Sequence, residues 1–150
     1  MRATFGHVNL IARDWRRLSR FYQDVFGCTP VPPERDYRGD DVDRATALPN
    51  AHITGEHLRL PGFGDNGPTL EIYSYDEFAP AVERAINRPG FGHLAFAVDD
   101  VTSALGEFRA EGGTTLGEVV TLTTKAGTKV TFVYARDPEG NIIELQSWSR

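Results

Sequence analysis

Gly6-His7-Val8-Asn9-Leu10-Ile11-Ala12-Arg13-Asp14 and Gly92-His93-Leu94-Ala95-Phe96-Ala97-Val98-Asp99-Asp100 decide the fold, because a shift of 86 residues lays one on the other with Gly, His and the closing Asp coinciding. Each stretch is a β-rich run. Each ends on an Asp whose carboxylate can accept from the free N–H groups of a helix's first turn. The spacing predicts helices over 14–26 and 101–111. In the first, Trp15, Leu18, Phe21, Tyr22, Val25 and Phe26 recur at helical intervals, while Arg16, Arg17, Arg20 and Asp24 face water. Gly27 and Gly112-Gly113 stop the helices at equivalent points.

Further strand signals follow each helix. The first half offers 29–32, 56–60 and Thr69-Leu70-Glu71-Ile72-Tyr73. The second offers 114–123, 128–135 and Asn141-Ile142-Ile143-Glu144-Leu145-Gln146, the last directly after the turn sequence Asp137-Pro138-Glu139-Gly140. The expected architecture is therefore α+β, a single domain of two βαβββ modules over about 4–76 and 90–149, joined by a helical or irregular linker at 77–89. Residues 33–55 interrupt the first module with charges, Pro and Gly, and read as a functional lid or a solvated insertion.

Residues two apart on a strand share a face. His7 then goes with Phe5 and Asn9, Glu71 with Thr69, Tyr73 and Tyr75, His93 with Phe91 and Ala95, and Glu144 with Ile142, Gln146 and Trp148. The opposite faces carry Val8, Leu10, Leu70, Ile72, Leu94, Phe96, Ile143 and Leu145, which suit packing against helices. A carboxylate inside a strand needs a balancing partner, since burying it unpaired costs several kcal/mol or forces protonation. One divalent cation balances His7, Glu71, His93 and Glu144 together, and this donor set suits Zn, Ni, Co, Mn or Fe(II). Phe5, Asn9, Tyr73, Tyr75, Phe91, Gln146 and Trp148 are the expected substrate-pocket residues. His52 and His57 lack such partners in the pattern and read as surface or pocket-lining residues without ligation.

Composition limits the partners. Of 150 residues, 40% are apolar and 25% charged, as in an ordinary folded protein, and 16 basic against 21 acidic residues give a net charge of −5. That balance and the absence of a Lys/Arg run argue against nucleic acid. No apolar run approaches the roughly 20 residues of a membrane helix, and the N-terminus lacks an apolar signal core, so a cytoplasmic protein is expected. The single Cys28 reads as a buried, inert thiol.

The paired modules with His7, Glu71, His93 and Glu144, and the segments 92–100 and 137–145, resemble the vicinal oxygen chelate superfamily, which includes glyoxalase I, methylmalonyl-CoA epimerase, extradiol dioxygenases, and the fosfomycin- and bleomycin-resistance proteins. The resemblance covers nearly the whole chain. It implies a mixed sheet around a divalent ion that chelates two substrate oxygens, often in a homodimer, with a small molecule as partner. Extradiol dioxygenases use two His and one carboxylate; the additional Glu71 favours the glyoxalase and epimerase branch. Bleomycin-binding members generally lack a metal set. Ile11 and Tyr75 stand where compact bacterial glyoxalase I carries Arg and Asn for glutathione, which argues against that cosubstrate. The implied activity is a lyase or isomerase reaction by proton abstraction next to a carbonyl, through a metal-stabilised enediolate, with Glu144 as leading base and Glu71 as its partner. A dioxygenase using Fe(II) or Mn(II), with Tyr73, Tyr75 and Trp148 against an aromatic ring, and a non-catalytic binding protein are the alternatives.

Overall fold

The computed structural model describes residues 1–149. The fold is α+β, built as two compact units, Met1–Ala81 and a second beginning at Val82. The first unit contains β1 (His7–Ile11), α1 (Trp15–Phe26), β2 (Thr29–Arg38), α2 (Asp40–Thr46), β3 (His52–Arg59) and β4 (Thr69–Tyr75). Its sheet runs β1-β4-β3-β2, with β1 parallel to β4 and the other pairs antiparallel. The second contains β5 (Leu94–Ala97), α3 (Val101–Ala110), β6 (Thr114–Thr115), β7 (Val120–Thr123), β8 (Lys129–Arg136) and β9 (Ile142–Ser149). Its sheet runs β5-β9-β8-β6, β7 also pairing with β8, and β5 is parallel to β9. The 77–89 linker is irregular.

Both helices begin as the sequence predicts. Asp14 Oδ1 accepts from the Arg17 N–H at 3.0 Å, and Asp100 Oδ1 accepts from the Ser103 N–H at 2.7 Å. Gly27 ends α1 in the left-handed region, at φ 67°, a conformation glycine adopts without a Cβ penalty. The apolar stripe of α1 buries Trp15, Leu18, Phe21 and Tyr22, and α1 packs on β3 and β4, where Leu58, Leu70 and Ile72 are fully buried. In the second unit α3 packs on β8 and β9, with Phe108, Val133, Ile143 and Leu145 buried. Each such side chain contributes about 1.5–3 kcal/mol by leaving water. On the α1 side of the first sheet, the Ser19 hydroxyl donates to Glu56.

Three expectations need correction. Residues 33–55 are not without regular structure: they are the end of β2, the helix α2 and the start of β3. Their Pro and charge content marks an edge strand. β2 lies at the border of its sheet, where a missing N–H and charged side chains are tolerated, and its pairing with β3 breaks register between Val31 and Arg35, around Pro32 and Pro33. The helix carries Asp40, Asp41 and Asp43 in its first turn, which favours the positive end of the helix dipole. Secondly, the strand expected over 114–123 is two short strands, so the second unit has four strands after its helix instead of three. Thirdly, β5 begins at Leu94, and His93 and Phe91 precede it.

Cys28 is buried, and burial pushes its thiol pKa up to about 12, which fits an inert core thiol. Among the described residues, no helix is long and apolar enough to cross a membrane.

Candidate metal and substrate site

Strand register brings the first pair of candidate ligands together. β1 pairs with β4 so that Asn9 stands opposite Glu71, and β3 pairs with β4 so that His57 stands opposite it on the other side. Residues opposite one another share a face. The face opposite α1 therefore collects His7, Asn9, His57, Glu71 and Tyr73. Glu71 lies at its centre. Its Oε2 is 3.2 Å from His7 Nε2 and accepts from Asn9 Nδ2 at 3.2 Å; its Oε1 is 2.8 Å from His57 Nε2 and accepts from the Tyr73 hydroxyl at 3.2 Å. His57 is fixed in turn, with Nδ1 3.0 Å from the Thr69 hydroxyl and Nε2 3.0 Å from the Tyr73 hydroxyl. Burial lowers the His57 pKa against the raising effect of Glu71, and Arg35 and His7 push it further down. Tyr73 is raised well above an ordinary phenol, first by burial and then by the Glu71 charge and hydrogen bond.

The second pair is built by β9. The Asp137 carboxylate fastens the preceding turn: Oδ1 accepts from the Glu139 and Asn141 N–H groups at 2.9 and 2.8 Å, and Oδ2 from Asn141 Nδ2 at 2.6 Å. β9 then places Glu144 between Ala95 of β5 and Tyr134 of β8. Glu144 Oε2 is 2.8 Å from His93 Nε2, and the His93 and Tyr134 rings lie 5.2 Å apart. Burial and the Glu144 charge raise the Tyr134 pKa.

Two donors bound to one ion at about 2.0–2.2 Å, at tetrahedral or octahedral angles, stand roughly 2.8–3.6 Å apart. The His7–Glu71 and His93–Glu144 separations of 3.2 and 2.8 Å suit that geometry, and imidazole with carboxylate suits the ions named above. Each unit supplies a pair. Among the described residues there is no group of three or more His, Cys, Asp or Glu side chains placed to hold a metal ion; His57 approaches the Glu71 oxygen that His7 does not.

The expected pocket residues fall into two groups. Asn9 and Tyr73 touch Glu71 directly, and Tyr75 ends β4, half-buried on the same face. Gln146 accepts from Trp148 Nε1 at 2.9 Å in β9. Phe5, Phe91 and Trp148 are exposed, at 65, 102 and 55%. The sequence reading missed the partners of both other histidines. His57 belongs to the Glu71 network, and the signal was its place opposite Glu71, visible only once β3 and β4 are in register. His52 lies elsewhere, with Nδ1 2.9 Å from Asp76 and Nε2 2.9 Å from Asp36. Hydrogen bonds donated to those two carboxylates, Asp76 first, raise its pKa.

Comparison with known proteins agrees with this architecture. A glyoxalase family protein from Bacillus cereus superposes with a TM-score of 0.79 at 18% identity, over 97% of this chain and 94% of its own. A glyoxalase I mutant from Zea mays gives 0.63 at 23%, over 95% of this chain and 43% of its own. The fosfomycin resistance protein FosX from Listeria monocytogenes gives 0.63 at 18%, over 99 and 96%. None of the curated proteins compared matches. At these identities the superpositions speak for the fold. The sequence itself goes further, since residues 4–145 match one family profile, and the chain belongs to the Glyoxalase/Bleomycin resistance protein/Dioxygenase superfamily.

Proposed function

We propose that this protein is a divalent-metal-dependent lyase or isomerase of the glyoxalase and epimerase kind, which moves a proton on the carbon next to a carbonyl of a small substrate. His7, Glu71, His93 and Glu144 are the residues that hold the ion. When bound, such an ion polarises the carbonyl and stabilises the enediolate left by proton removal.

The observation that carries the reading is the unequal hold on the two carboxylates. Glu71 has four side-chain partners, His7, Asn9, His57 and Tyr73, two on each carboxylate oxygen, so its position is fixed by its neighbours. It is suited to staying in place as a ligand. Among the described residues Glu144 has His93 as its one ionic partner, and Ala95 stands where Asn9 stands in the other unit. It keeps acceptor capacity for a substrate proton, so Glu144 is the general base and Glu71 its fixed counterpart. Asn9, Tyr73 and Tyr75 of the first unit, Gln146 of the second, and Phe5, Phe91 and Trp148 are the residues that meet the substrate.

The test is elemental analysis of the wild type and His93→Ala, combined with proton–deuterium exchange next to the carbonyl in a panel of α-hydroxyketones and thioesters. About one equivalent of ion in wild type, its loss in His93→Ala, and exchange that needs the ion support the proposal. No ion after reconstitution overturns it. Oxygen uptake with catechols, with no exchange, assigns the dioxygenase activity instead.

A further inference from the structure

The Glu71 face carries a cation that the proposed chemistry does not use. Arg35 of β2 stands opposite Gly55 of β3, which stands opposite Tyr73 of β4, so these three form one row across the sheet, next to the row of Glu71 and His57. Arg35 is half-buried. Its Nη1 is fully out of solvent and has no hydrogen-bond partner, and among the described residues no carboxylate forms an ion pair with it. The acidic residues flanking it in sequence are engaged elsewhere: Glu34 pairs with Arg16 at 2.7 Å, and Asp36 with His52 at 2.9 Å.

A guanidinium nitrogen held out of water with no partner is costly, because its fixed donors lose hydration without replacement. Position 55 keeps the row open. Any Cβ there would overlap the Ile72 carbonyl oxygen and the Tyr73 ring, so no side chain stands between Arg35 and Tyr73. The second unit has no counterpart. The equivalent row there is Val120, Phe132 and Gln146.

We propose that Arg35 anchors an anionic group of the substrate, a carboxylate or a phosphate-type oxyanion, through the planar fork of its guanidinium. Such groups accept two parallel N–H bonds from Arg, which satisfies the buried Nη1 and replaces its lost hydration. The reacting carbonyl lies toward Glu71, two strands away, about 10 Å across the sheet. The substrate is therefore a short molecule with an oxyanion at the end remote from the carbon that loses its proton. This inference rests on reading the Glu71 face as the substrate side of the site.

Its test is made on the full chain freed of metal, so that a failure of metal binding is scored separately by the elemental analysis above. Amide NMR spectra are followed while sodium phosphate or sodium malonate is added, with ionic strength held constant by chloride. The expected result is a saturable shift of the Gly55 and Tyr73 amides with at least one anion. Saturation by phosphate alone assigns the phosphate type, by malonate alone the carboxylate type, and by both a general oxyanion site. Arg35→Gln should weaken that binding by at least about tenfold with the rest of the spectrum unchanged. Arg35→Lys, which keeps the charge and loses the fork, should fall between, and it decides the matter if the glutamine variant does not fold. No saturation with either anion, or saturation equal to wild type in the variants, overturns the proposal.

Discussion

The two units place a histidine and a glutamate at matching points of matching sheets, yet they surround the glutamate differently. In the first unit the cross-strand neighbours of Glu71 are Asn9 and His57, both hydrogen-bonded or ion-paired to it, and Tyr73 adds a fourth partner. In the second the neighbours of Glu144 are Ala95 and Tyr134. A duplicated backbone therefore does not imply a duplicated role. The strand ladder fixes where the carboxylate stands, and the residues opposite it decide how many partners hold it.

The largest effect should come from splitting the two glutamates. Glu144→Gln removes the proposed base and should slow exchange next to the carbonyl by about 10²–10⁴-fold while most of the ion stays bound. Glu71→Gln should act first on ion content. Equal loss of ion in both variants, by elemental analysis, would abolish the distinction between them.

Core substitutions probe whether the paired sheets are equally anchored. Leu70→Ala and Leu145→Ala each open a cavity at a fully buried site and should cost about 2–5 kcal/mol in urea unfolding. A cost below 1 kcal/mol in either would show that its sheet face is less tightly packed than described.

A smaller effect is expected for His57→Phe, which leaves the Tyr73 hydroxyl and Glu71 Oε1 without their imidazole partner. The loss should be about 1–3 kcal/mol of stability, with weaker Co(II) binding followed by visible absorption. In the second unit Tyr134→Phe should leave Co(II) binding nearly unchanged, because Tyr134 touches the site through its ring. If both variants bind Co(II) like the wild type, Glu71 is held no more firmly than Glu144.

The smallest effect is a pH dependence confined to the first unit. His52 has its pKa raised by Asp76 and Asp36, so its contribution to stability is complete below the unfolded value of about 6.5 and disappears as pH rises through the higher folded value. The melting temperature of wild type should exceed that of His52→Gln at pH 5.5 and approach it at high pH. A gap that widens with pH would contradict the raised value.

Much of this was legible in the chain. The 86-residue repeat, the capping Asp14 and Asp100, the helix-stopping Gly27 and the alternation around Glu71 and Glu144 are local signals, and local signals survive in one dimension. The β2–α2–β3 region was misread because the prolines and charges of an edge strand look like a loop until the neighbouring strand is known. His57, Arg35 and Gly55 were invisible for a related reason. Their importance comes from standing opposite or beside Glu71 and Tyr73, and strand register is set by packing between segments far apart in sequence. Thus the sequence by itself determined the repeat, the helices and the four candidate ligands, because periodicity and capping are properties of neighbouring residues. The tertiary structure decided that Glu71 has four side-chain partners where Glu144 pairs with His93, and among the described residues it left the buried Arg35 Nη1 without a hydrogen bond, because those are properties of the strands laid alongside.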